Sequence, residues 1–172
     1  NTASASVVDE VEVGSEPTGI ALSPSGKFLV VTEFAEGRIS IIDTDTMAIV
    51  GERDIRNPRA VAITNDGDTE DSDEKVVVTE FYGEINPGNV EGQNNSRTGV
   101  VRIFSLTPAL SELEKVSFAP LATPDFAPTN ETSPNQLYSV IITPDNSKFI
   151  ALATAASPNG VASFNQNIYQ LL

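Results

Sequence analysis

The sequence predicts an all-β fold in which four-stranded antiparallel sheets stack as the blades of a β-propeller, with about three blades of an incomplete ring in hand. Three observations predict it. First, one phrase returns: PTGIALSPSGKFLVVTEFAEGRISIID begins at Pro17, PRAVAITNDGDTEDSDEKVVVTEFYGE begins 41 residues later at Pro58, and a degenerate copy, YSVIITPDNSKFIALATAASPNG, begins at Tyr138. A period of about 40 residues with several short strands per unit is a propeller signature. Second, the polar turns at 23–27, 64–67 and 143–148 fall at the same place in each copy, and their Pro, Asp, Asn and Gly supply the preset or positive φ that tight hairpins need. Third, the flanking runs Phe28 to Thr32 and Val76 to Thr79 are rich in β-branched residues and too short for helices. A β-sandwich would not repeat one turn at one place in successive units.

The elements follow from these signals. Blade one, 17–54, is expected to use strands near 18–22, 27–33, 38–43 and 47–54. Blade two, 58–118, uses 59–64, 75–81, 98–105 and 113–118, with insertions at 68–73 and 82–99. A linker spans 119–137; prolines at 108, 120, 124, 128 and 134 argue against helix and central strand in this region. Phe118, Leu121 and Phe126 are expected to pin the linker to the ring. Blade three, 138–172, begins with strands near 138–143 and 148–154.

The stretch VVDEVEVGSEPTGIALSPSGKFLVVTEFAEGRISIIDTDTMAIV, residues 7–50, resembles the YVTN-type β-propeller repeat. That repeat runs from a valine-rich strand through VG, P-x-G-I-A-x-S-P-D-G and a YVTN-like strand to G-x-V-S-V-I-D-x-x-T. Residues 58–81 match it well and 138–155 weakly, and Glu33 and Glu80 stand where the repeat usually has Asn. The resemblance implies a partial ring of the lactonase-like, seven-bladed superfamily. It also implies that 7–13 is an outer strand completing a blade whose inner strands lie elsewhere, and that the remaining blades of the ring are supplied in cis past Leu172 or by other chains. Asn1 followed by TASAS reads as the start of a mature or cut chain, and with the resemblance this points to an extracytoplasmic setting: periplasmic, cell-surface or secreted.

Composition limits the chemistry. Ten Lys and Arg stand against 24 Asp and Glu, a formal net charge of −14, which argues against nucleic acid because a phosphate backbone demands a basic footprint. The absence of Cys and His removes thiol and imidazole catalysis and Cys/His zinc sites, and there is no CxxCH haem motif. No apolar run is long enough to insert in a membrane.

Four features could carry function. Where blade one turns with SPSGK, blade two has TNDGDTEDSDEK, and Asp66, Asp68, Glu70, Asp71 and Asp73, with Glu74 following, offer hard oxygen ligands for Ca2+; the bland alternative is a solvated acidic hairpin. The 82–99 insertion is either a recognition loop on a rigid rim or a merely mobile one. Glu33 and Glu80, at matched positions, could bind a cation or act as acid and base, or simply bond to backbone or to an arginine such as Arg38 or Arg59; Thr154 is read as taking their place in blade three. Asn94-Asn95-Ser96 and Asn130-Glu131-Thr132 are formal glycosylation sequons. The favoured function is a non-catalytic propeller scaffold binding a protein or glycan through rim loops, stabilised by calcium if the acidic loop is a site. The alternative is a lactonase-like or metal-dependent hydrolase whose site is completed by the missing blades.

Overall fold

The computed structural model describes residues 3–91, 93, 95–122, 131–156 and 167–171, and among them there are strands and turns but no helix. The first sheet comprises β1 (Pro17–Leu22), β2 (Phe28–Glu33), β3 (Arg38–Asp43) and β4 (Ala48–Asp54), antiparallel and in chain order. The second repeats the arrangement with β5 (Pro58–Ile63), β6 (Lys75–Ile85), β7 (Arg97–Ser105) and β8 (Glu112–Ser117). A two-residue ribbon, β9 (Leu121–Ala122) with β10 (Glu131–Thr132), leads to the third sheet, β11 (Gln136–Ile142), β12 (Phe149–Ala156) and β13 (Asn167–Leu171).

Two expectations change. The 82–99 insertion is loop only over 86–96, because β6 runs on to Ile85 and β7 starts at Arg97. The 119–137 linker contains a short ribbon and the first residues of β11, while Phe126, Asn94 and Asn130 lie outside the described residues. Residues 7–13 pair with none of the described strands; the strands expected to pair with them belong to a blade elsewhere in the ring.

The units open alike. Pro17 pairs with Glu33 and Pro58 with Glu80, with a register shift straight afterwards, and the preceding Glu16 and Asn57 take positive φ of 57° and 41°. At the first turn, the Ser23, Thr64 and Thr143 amides donate to Phe28, Lys75 and Lys148 carbonyls at 2.8, 3.0 and 2.9 Å. This fixes the repeat register: Leu29, Val76 and Phe149 are equivalent, as are Val31, Val78 and Ala151.

Side chains alternate across a strand, so a blade between two neighbours must be apolar on both faces. Val76, Val77 and Val78 are all buried for this reason. One core packs Val30, Ile39 and Ile41 of blade one against Val61, Val78 and Phe104 of blade two. A second packs Val77 and Val101 against Leu137, Val140, Ala151 and Ala153 of blade three, with Phe118 edge-on to Phe149 at 6.5 Å.

Hydrogen bonds between blades repeat as well. The Thr32 hydroxyl donates to the Arg59 carbonyl at 3.2 Å; its equivalent Thr79 donates to the Leu137 carbonyl at 3.4 Å and accepts the Ala60 amide at 3.0 Å. Neighbouring blades approach so closely that a Cβ on Gly19, in the innermost strand, would lie 2.9 Å from the Arg59 carbonyl oxygen, and one on Gly51, in the outermost, would lie 1.9 Å from that of Pro108. Glycine is required at both.

Replacing Thr79 by Val leaves the Ala60 amide and the Leu137 carbonyl without their hydroxyl partner inside a blade junction. The expected cost is about 1–3 kcal/mol, or a fall in Tm of roughly 2–4 °C per kcal/mol for a chain of this size. Thr79→Ser, which keeps the oxygen, should recover most of it, and equal melting of the two variants would contradict the assignment.

Candidate functional site

The chain presents two rims, and the two blade-two insertions lie on opposite ones. The first-turn rim carries 23–27, 64–74 and 143–147; the other carries the ends of β2, β6 and β12 with the 86–96 loop.

On the first-turn rim the acidic loop is bound inward. Asp71, buried, accepts the Ser25 amide at 3.2 Å and the Ser25 hydroxyl at 2.5 Å, tying blade two to blade one. The Asn146 side chain, on blade three, accepts the Asn65 amide at 3.1 Å and ties the next pair. Buried Glu74 closes the loop on itself by accepting the Asp66 amide at 2.8 Å and the Thr64 hydroxyl. Exposed Asp66, Asp68 and Glu70 each accept the amide two residues on, and Asp73 faces solvent. Among the described residues no group of three or more carboxylates is placed to hold a metal ion. A cleft of about 460 Å³ remains between this loop and blade one, with Lys27, Asp45, Glu70 and Pro108 in its walls. Burial works to raise the Asp71 carboxyl, but the Ser25 and Ser23 hydroxyls and the Ser25 amide outweigh it and leave the group below the usual carboxylate range.

On the other rim, Glu33 and Glu80 are fully buried in equivalent places but in unequal surroundings. Glu33 accepts the Ser40 hydroxyl at 2.6 Å and pairs with Arg38, which also reaches Glu52 at 3.1 Å. Burial opposes ionisation there, and Ser40, Arg38 and the Gly14 amide overcome it, so the carboxyl is lowered. In blade two, Arg102 takes the position of Ser40. It holds one Glu80 oxygen while also binding Glu84 and Glu112 at 2.9 Å each, and Lys115 closes the network on Glu84 at 2.9 Å. The second Glu80 oxygen has no hydrogen-bond partner among the described residues, and burial raises this carboxyl despite Arg102. Sequence reasoning correctly foresaw Arg38 but named Arg59 where Arg102 binds. It also slipped by one residue in blade three: Ala153 holds the glutamate position, and Thr154 that of Phe34 and Phe81.

Those two phenylalanines begin the feature that sequence reasoning missed. Phe34 and Phe81 meet edge-on at 5.8 Å, Tyr82 packs on both at 6.0 and 4.9 Å, and Tyr138 extends the row from Phe81 at 5.0 Å. Arg59 lies over the Phe81 ring at 5.5 Å and Arg97 over Tyr82 at 5.7 Å. Tyr82 and Tyr138 remain 41% and 37% exposed. The adjoining loop is built, since the Asn86 amide donates to the Ser96 carbonyl at 2.9 Å and the Asn86 and Asn89 side chains both donate to Asn95. The available signal was the aromatic that follows VVTE in both copies, with Arg59 and Tyr138 sharing one repeat position.

Chemically, the glutamates are anchors: sequestered, ion-paired and in different surroundings, they do not form an acid–base couple. The aromatic row and its two arginines form a partly exposed patch on this rim, held by ring–ring and cation–π contacts.

Two pH dependences follow. Asp71, lowered in the fold, contributes stability that is present above the unfolded carboxyl value of about 3.9 and is lost as pH falls through its lower folded value. Asp71→Asn should therefore melt below the parent at neutral pH, with the gap closing in acid. Glu80, raised, contributes stability present below the unfolded value of about 4.3 that is lost as pH rises through its folded value. Glu80→Gln should lack that decline, and a parallel decline in both proteins would contradict the assignment.

No family model and no curated protein sequence matches the chain, but solved structures do. It resembles Kuenenia stuttgartiensis hydrazine synthase with a TM-score of 0.61 at 17% identity, covering 99% of this chain and 41% of that one. The WD40 domain of Toxoplasma gondii coronin is similar at TM-score 0.49 and 11% identity, over 90% of this chain and 34% of that one. The β-propeller domain of Myceliophteria thermophila Cps50 is similar at TM-score 0.43 and 14% identity, over 91% and 42%. The chain thus spans less than half the length of each of these structures, and at such identities the likeness is one of fold. With its two successive four-stranded antiparallel sheets and a third begun in the same register, the chain is an all-β arc of β-propeller blades.

Proposed function

We propose that this chain is part of a non-catalytic, extracytoplasmic propeller scaffold that binds a protein or glycan through the rim bearing Phe34, Phe81, Tyr82 and Tyr138. The observation that carries this is the aromatic row itself: tyrosines with exposed faces, backed by half-buried phenylalanine rings and flanked by Arg59 and Arg97. Tyrosine and arginine supply large contact areas at low entropic cost and are enriched among binding hot spots, and the rigid blades beneath hold them in place. The 86–96 loop stands beside them.

The hydrolase alternative has less behind it, since it needs an accessible carboxylate base and both rim glutamates are buried and engaged. Calcium binding by Asp66, Asp68, Glu70, Asp71 and Asp73 would require Asp71 to leave Ser25 and forms no part of the proposal.

The test is to screen the chain against glycan and extracellular-protein panels and remeasure each binder with Tyr82→Ala and Tyr138→Ala. Loss of about 10- to 30-fold in affinity is expected, corresponding to hot-spot truncations. Binding indifferent to both substitutions, or a lactone hydrolysis abolished by Glu80→Gln, would overturn the reading.

A further inference from the structure

We infer that Arg59, seated on Phe81 beside Tyr138, receives a carboxylate of the ligand, and that the ligand is a glycan bearing a uronic-acid residue. The inference rests on the rim reading above and adds to it the charge and class of what is bound.

Arg59 differs from Arg38, Arg97 and Arg102 in what it holds. Arg38 and Arg102 are pinned by buried glutamates, and Arg97 pairs with Glu91 at 2.9 Å. Among the described residues Arg59 forms no ion pair; its guanidinium lies over the Phe81 ring instead. A guanidinium laid on a ring keeps its N–H edge turned outward, and that planar fork matches a carboxylate. The chain has a net charge of −14, so carboxylates abound, yet this half-buried arginine is left open to an anion from outside. The same charge repels dense polyanions, which favours a ligand whose carboxylates are sparse.

What stands beside the guanidinium points to a sugar. Arg59 and Tyr138 hold the same position in the innermost strands β5 and β11. Both pack on Phe81, Tyr138 edge-on at 5.0 Å, so a single ring separates the fork from the phenol. Tyr138 is partly exposed, and its hydroxyl donates to Gln136 Oε1 at 3.1 Å, which leaves the Gln136 amide hydrogens for a ligand hydroxyl. A tyrosine is apolar on its face and polar at its tip; a pyranose matches it, with C–H groups on its faces and hydroxyls around its edge. In a uronic acid the carboxylate is one bond from the ring, so a sugar laid on Tyr138 brings it to the neighbouring Arg59. A peptide fits less well. An extended peptide gains affinity by adding to a free strand edge, and here the Arg59 carbonyl already accepts the Thr18 and Thr32 hydroxyls, and the Leu137 carbonyl that of Thr79.

NMR titration of the chain with methyl glucuronoside, and with methyl glucoside as its neutral counterpart, tests this. The glucuronoside should bind about 10-fold tighter, the gain expected of one charge-assisted contact, and should shift the Arg59 Nε–H and Tyr138 ring signals. Arg59→Gln should abolish the preference. Arg59→Lys, a point charge without the fork, should keep part of it, and Tyr138→Ala should weaken both sugars alike. Matching circular dichroism melts confirm folding, and Arg59→Lys carries the comparison if Arg59→Gln fails that check. Four results would overturn the proposal: no binding of the glucuronoside, equal affinity for the two sugars, a preference that survives Arg59→Gln, or tighter binding of acetyl-Asp-Tyr-amide than of the glucuronoside. The rim reading fails separately. A binder weakened by Tyr82→Ala but not by Arg59→Gln sinks the carboxylate assignment and leaves the rim, whereas binders indifferent to both tyrosines sink the two together.

Discussion

Everything in this chain depends on one constraint: a blade is apolar on both faces and is stable only between neighbours. Strand alternation makes the constraint unavoidable, and the run Val76 to Val78, buried without a break, is its clearest expression. From it follow glycine at 19 and 51, where backbones come too close for a side chain, and the threonine of each VVTEF strand, whose hydroxyl meets a carbonyl at the start of the next blade. The same constraint gives meaning to the exposed Ile20 and Leu22, which hold the positions that blade two packs into a junction through Val61 and Ile63.

Polar groups in the repeat serve the same junctions. Asp71 to Ser25 and Asn146 to Asn65 staple successive first turns, so the acidic insertion of blade two works as a clamp before it works as anything else. Glu33 and Glu80 differ in their partners: Ser40, Arg38 and the Gly14 amide complete the shell around Glu33, whereas Arg102, at the position of Ser40, gathers three glutamates and leaves one Glu80 oxygen bare. The repeated polar positions therefore carry architecture, and recognition is proposed for the rim where the aromatic row meets the 86–96 loop.

The periodic part of this was legible. Strand positions in blades one and two came from β-branched runs and turn residues, to within one residue apart from the C-terminal end of β6, because period and turn chemistry are local properties. What escaped depends on register between strands. A one-residue slip in the degenerate third copy put Thr154 where Ala153 belongs, and Arg38 and Arg59 were offered as partners for the two glutamates although Arg102, on the adjacent strand, is the one that reaches Glu80. The acids of 66–74 read as convergent because sequence shows charge and not direction; Asp71 and Glu74 point inward while Asp66, Asp68 and Glu70 cap their own turns. The aromatic row was invisible because Phe34, Tyr82 and Tyr138 belong to three different blades.

The central claim is that the matched rim carboxylates are structural, and that their different partners set them apart. Site-resolved NMR titration of the Glu33 and Glu80 side-chain carboxyls measures this directly. The account predicts that they move in opposite directions from the ordinary glutamate value, Glu33 down and Glu80 up. Two carboxyls titrating together at the value of an exposed glutamate would contradict it.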